Sequence, residues 1–325
     1  MAEGAASENG LDFTSEEVPP PPPCPPSGMR KIFIGPDGLR AGWRLLIYLA
    51  MFAAIYVGLG MVVQLVHPKP FPLTWLLLVG DSLLLVSAVL PVLMMMRLES
   101  RSFGDYGLPL GGAFGRFFWT GWAWGMGGLT LLMILMRAAR VFYFGSLTLH
   151  GVRIAKFALF YAVAFLIVGL FEEFWVRGYS LFTLTTGIGF WPAAVVLSIA
   201  FGAIHLGNKN EAPTGALAAG LIGLFFCLTL RRTGNLWFAV GFHASWDWGE
   251  TFLYSVPNSG IKMPGHLLSS SFQGADWLTG GSVGPEGSVL VFVVIAILAM
   301  IFHRLYREAK FLVRGSKMQK NALIT

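Results

Sequence analysis

Three short stretches carry ionisable side chains inside otherwise apolar sequence. FEEFWVRGY (171–179) holds Glu172, Glu173 and Arg177, FGAIHLGN (201–208) holds His205, and GFHASWDWGE (241–250) holds His243, Asp247 and Glu250. A fourth apolar run holds Asp81. An ionisable group in the middle of a membrane span costs roughly 2.5–3.5 kcal/mol on insertion scales, so it persists where it is paired or faces a wet cavity. On a helix, Glu173 and Arg177 are i and i+4 with the acid first, the favourable orientation for a pair. Glu172 is turned by about 100° from Glu173 and has no cation on its own face, which suits it to the work of a general base. His243 and Asp247 are also i and i+4, so the acid can orient the imidazole or share a ligand with it. Asp81 reads as a helix–helix hydrogen bond rather than a catalytic group, and Glu250 has no evident role.

No Ser, Cys or Thr nucleophile is paired with these histidines by spacing, and neither HExxH, GxGD nor a GxSG of the rhomboid kind occurs. Two Glu, two His, an Asp and an Arg remain. That set can activate water through a carboxylate, with or without a divalent metal such as zinc, for which Glu172, His205, His243 and Asp247 are the candidate ligands. The bond hydrolysed lies inside the membrane, most naturally a peptide bond.

The elements that must carry these residues are membrane helices. Of 325 residues, 55% are hydrophobic and 12% charged, about half the charge of a soluble domain. Mean hydropathy is +0.66. A soluble single-core fold, a disordered chain and a coiled coil are excluded, and the expectation is an all-α polytopic bundle. Eight continuous apolar segments lie near 43–66, 72–96, 117–136, 156–180, 189–207, 214–230, 235–254 and 287–305, each long enough to cross the hydrocarbon core as a helix. The runs do not alternate, which excludes a barrel. For Glu172, His205 and His243 to meet at one depth, the fourth helix must continue well past Arg177. Gly121, Gly125, Gly127 and Gly128, and Ala216, Gly220 and Gly223, are spaced for close approach within the bundle.

The net charge is +6. Fifteen Lys and Arg near the span ends fall on the side of the N-terminus and seven on the other, which places both termini in the cytoplasm of what reads as a bacterial cell. The excess of basic residues needs no nucleic acid. Two cysteines, Cys24 and Cys227, cannot build a disulfide framework. Residues 1–28 are polar and proline-rich, a disordered tail without a signal peptide. The expected organisation is that tail, three helices over 29–150, a catalytic core over 151–255, an extramembrane loop over 256–286, and a last helix with a basic tail over 287–325.

The ordered motifs EEFWVR (172–177), FGAIH (201–205) and HASWD (243–247) on successive spans resemble the CPBP family, the CAAX prenyl endoproteases and bacteriocin-processing (Abi) proteins. RTGNLW (232–237) and SFGDYGL (102–108) are similar to segments of the same family. The resemblance covers 150–255 closely. It implies an intramembrane endopeptidase acting on a lipidated, CAAX-like or hydrophobic peptide or protein. Glu172 with His205 would activate the water, His243 and Asp247 would form the oxyanion-stabilising pair, and Glu173 with Arg177 would hold the first motif in shape. Asp247 stands where the eukaryotic members carry Asn. An amide can donate to an oxyanion and an ionised carboxylate cannot, so Asp247 must carry a proton, orient His243 or bind a metal. Two other readings stay open at this level: a catalytically silent immunity or scaffold protein of the same fold, and a transporter.

Overall fold

The computed structural model describes residues 28, 30–35 and 38–311. The proline-rich tail, Gly28 apart, and the basic tail beyond 311 lie outside the described residues. Residues up to Arg40 form a unit of their own, in which the helical turn Arg30–Phe33 leads into an antiparallel hairpin of β1 (Ile34–Gly35) and β2 (Gly38–Leu39).

From Ala41 onward the chain is a helix bundle. Its helices are α1 (Ala41–Val66), α2 (Leu73–Glu99), α3 (Arg116–Ala138), α4 (Val152–Glu173), α5 (Leu181–Ile188), α6 (Phe190–His205), α7 (Pro213–Thr233), α8 (Trp237–Trp248) and α9 (Val289–Leu305). Among the described residues, five helical stretches are long and apolar enough to cross a membrane, namely α1, α2, α3, the kinked stretch Val152–Ile188 and α7, while α6 and α9 are shorter apolar helices. All eight apolar segments are helical. In α1 only Ala41 and Tyr48 are buried, and Leu46, Val57 and Met61 point outward. An apolar outer face is what a helix in lipid requires, since its backbone groups are satisfied internally and its side chains meet hydrocarbon.

Two rods depart from α geometry. Between α4 and α5 the chain makes π-type turns over Phe174–Ser180, with Gly178 at ψ −108°, and α8 runs into a second π segment, Gly249–Leu253. Such turns are rare and recur at functional sites. The chain kinks at Gly178, one residue past Arg177, and helical structure resumes as α5 up to Ile188, so the apolar extension that the motif depths demand is present but bent.

Helix α8 is gripped by small residues. A Cβ on Gly121 or Gly125 of α3 would overlap the carbonyls of Phe238 and Phe242, and one on Gly169 of α4 would sit 3.5 Å from the His243 Cβ. With little hydrophobic drive between helices in lipid, close backbone approach supplies the packing. At one end, Leu236 N–H donates to Gly107 C=O at 2.7 Å and Trp237 Nε1 to Pro109 C=O at 2.9 Å, joining the RTGNLW and SFGDYGL segments. Glu99 accepts from Tyr179 at 2.7 Å and pairs with Arg44 at 3.4 Å at the C-terminal end of α2. Loops between α3 and α4, α6 and α7, and α8 and α9 meet one another. β3 (Phe142–Tyr143) pairs antiparallel with β4 (Ser271–Phe272), and Asn210 Nδ2 donates to Gly260 C=O at 2.8 Å.

Candidate active site

A cavity of about 380 Å³ lies among α2, α4, α6, α7, α8 and α9, closed over by the long loop after α8. Its apolar walls include Leu76, Phe165, Ile222, Trp246 and Ile295. Into it reach Glu172 from α4, His205 from α6, and His243 and Asp247 from α8. The three motifs, separated by up to 75 positions in sequence, thus share one chamber.

Glu173 and Arg177 stand behind it. Neither lines the cavity, and both side chains are fully buried. Glu173 Oε1 accepts from Arg177 Nη1 at 3.2 Å and from His243 Nδ1 at 2.9 Å. The same oxygen therefore holds the cation on its own helix and the imidazole on another. The Arg177 guanidinium lies 4.0 Å over the Phe201 ring and 5.8 Å from that of Phe226, so aromatic faces carry part of its charge. Gly223 of α7 approaches Arg177 Nη2 too closely for any Cβ. From spacing, Asp247 can orient His243 or share a ligand with it. In the fold it does not reach Nδ1, which Glu173 holds.

Asp247 meets the other nitrogen. His243 Nε2 is 3.5 Å from Asp247 Oδ2 and 3.7 Å from Glu172 Oε2. Three carboxylates thus surround one imidazole. With Nδ1 donating to Glu173, Nε2 points to the cavity side, where it donates when the ring is cationic. His205 is committed differently. Its Nδ1 lies 2.8 Å from the Phe201 carbonyl of its own helix. A carbonyl can only accept, so Nδ1 donates to it, and Nε2 is the nitrogen left for the cavity, an acceptor in the neutral ring. One histidine is built to donate and the other to accept.

Other residues enter from places that periodicity does not mark. Asp81 of α2 lines the cavity and makes no side-chain hydrogen bond or ion pair among the described residues. Asn208, Asn258 and Glu286 reach it from loops. Glu286 Oε2 accepts from the N–H and hydroxyl of Ser259, at 3.0 and 2.8 Å, tying together the two ends of the loop that borders the site. Asp81 had a local signal, an ionisable group within an apolar run; the loop residues had none. Glu250 is fully buried in the second π segment and does not line the cavity.

Among the described residues, no group of three or more His, Cys, Asp or Glu side chains is gathered as a metal-ligating set. The four candidate ligands share the chamber, but His243 is engaged by carboxylates at both nitrogens.

Residues 154–249 match the family model described as Type II CAAX prenyl endopeptidase Rce1-like. The matched stretch begins in α4, ends at the start of the second π segment and contains all six motif residues. That model is of the CAAX protease family that the motif order resembles. No curated protein and no solved structure matches the chain.

Proposed function

We propose that this integral, multi-pass membrane protein, whose core matches the CAAX prenyl endopeptidase family, is a glutamate-type intramembrane endopeptidase that cuts a lipidated or hydrophobic peptide by activating water. The observation that carries this reading is the pair of opposed histidines beside Glu172 in one chamber. Glu172 takes a proton from water, and His205 Nε2, with its lone pair free, orients that water. The hydroxide adds to the scissile carbonyl. The oxyanion is met by the Nε2–H of cationic His243, with Asp247 beside it. Glu172 then returns its proton to the leaving amine. Glu173 is a positioning residue, holding the imidazole through Nδ1, and Arg177 neutralises it.

The chamber walls are otherwise mostly apolar, Asp81, Asn208, Asn258, Ser259 and Glu286 being the further polar residues on them, which suits a substrate drawn from the bilayer and strengthens the electrostatics within it. Both termini are taken to be cytoplasmic, in a bacterial cell membrane. The test uses purified protein in nanodiscs with a prenylated CAAX peptide and an unlipidated hydrophobic peptide, each with and without chelator. Glu172→Gln, His205→Ala and His243→Ala should each abolish cleavage while the protein still inserts. Cleavage should survive the chelator. Full activity in Glu172→Gln would refute the assignment.

A further inference from the structure

The charged lining of the cavity is one-sided. Asp81, Glu172, Asp247 and Glu286 reach it from α2, α4, α8 and the covering loop, and no Lys or Arg does. Arg177 is committed to Glu173 behind the wall. Two of the four acids have work in the chemistry and Glu286 holds the loop. Asp81 has neither role. It stands on one face of α2 with Leu73 and Leu77, at i−8 and i−4, so it lies about 12 Å along the helix from Leu73. It lies within electrostatic reach of Glu172 and His243. Within the span it would be an uncompensated cost unless something in the chamber meets it.

We infer that Asp81 is a specificity residue that receives a cationic group of the substrate, a Lys or Arg side chain close to the scissile bond. The inference rests on the proteolytic reading and narrows its substrate class. A hydrophobic segment enters along the leucines of α2 and its basic side chain pairs with Asp81 across from Glu172. A long basic side chain spans such a distance with its apolar stem against Leu73, Leu76 and Leu77. An acidic residue at the same place meets four carboxylates and is rejected.

The experiment compares one hydrophobic reporter peptide carrying Lys, Gln or Glu next to the scissile bond, in wild type and Asp81→Asn. Both kcat/KM and the Kd of a fluorescent peptide for the protein in nanodiscs are measured. In wild type the Lys peptide should be favoured over Gln by at least about tenfold, the scale of one charge-assisted contact, with Glu last. In Asp81→Asn the Lys-to-Gln ratio should fall close to one. Equal handling of Lys and Gln by wild type, or a preference that persists in Asp81→Asn, overturns the inference. The binding ratio is read without turnover. Lys-selective binding with no cleavage of any peptide would therefore refute the hydrolytic reading and leave the recognition by Asp81 standing.

Discussion

Glu173 offers the sharpest test, because its two contacts have separable consequences. In Glu173→Leu the fully buried Arg177 loses its counter-charge and His243 Nδ1 loses its acceptor. An uncompensated buried charge costs about 3–5 kcal/mol, and an unsatisfied ring N–H about 1–3 kcal/mol. In Glu173→Leu/Arg177→Met the ion pair is replaced by apolar groups of similar volume. The larger of the two penalties should disappear, since such exchanges are often neutral. Activity should not follow. Without an acceptor on Nδ1, neither the tautomer nor the orientation of His243 is held, and turnover should stay roughly 10²–10⁴-fold down in both variants. Stability can be followed with a thiol-reactive fluorophore in a Cys24→Ser background, where Cys227, buried in the folded protein, becomes labelled on unfolding. Cleavage of the reporter peptide gives the second axis. A double variant that regains turnover together with stability would refute the argument, since Glu173 would then serve only to neutralise Arg177.

Asp247→Asn supplies the donor that an ionised carboxylate lacks and should keep at least about a tenth of the activity, whereas Asp247→Ala should lose about 10²-fold, the worth of one oxyanion contact; peptide cleavage decides between them. Gly125→Val would drive a side chain into the Phe242 carbonyl and Ser245, costing about 1–3 kcal/mol from overpacking and shifting His243. Gly127, beside it, faces open space, so Gly127→Ala should leave both thermal stability and turnover within about 0.5 kcal/mol of wild type. In the loop before α7, burial and then the nearby Glu286 push the Glu211 carboxyl up from its usual value, against the Ala212 N–H that it accepts. Folded Glu211 thus holds its proton to higher pH than the unfolded chain does. The folded state binds more protons, and stability falls as pH rises through the carboxylate range. Hydrogen exchange of residues 254–288 should accelerate over that range in wild type, and Glu211→Gln should flatten the response.

Much of this was legible in the chain. The scarcity of charge exposed the few acids and histidines inside spans, because burying them in lipid is expensive. The i,i+4 spacing showed the Glu173–Arg177 pair, and the need to bring Glu172 and His205 to one depth required helical structure past Arg177, which reaches Ile188 beyond a kink at Gly178 that the spacing did not show. These are local properties, set by helix geometry and by the solvent. What periodicity could not reveal was partnership across helices. The carboxylate on His243 Nδ1 is Glu173, 70 positions earlier, rather than Asp247 one turn along. That exchange depends on how closely α4 and α8 approach over Gly169, a matter of packing. Spacing along α2 gives Asp81 no partner and no direction; it lines the cavity because the packing of α2 against its neighbours decides which side of the helix looks inward. The loop over 256–286 had no pattern to read. It borders the site with its two ends tied by Ser259 and Glu286, a contact between residues 27 apart that exists only once the bundle has formed.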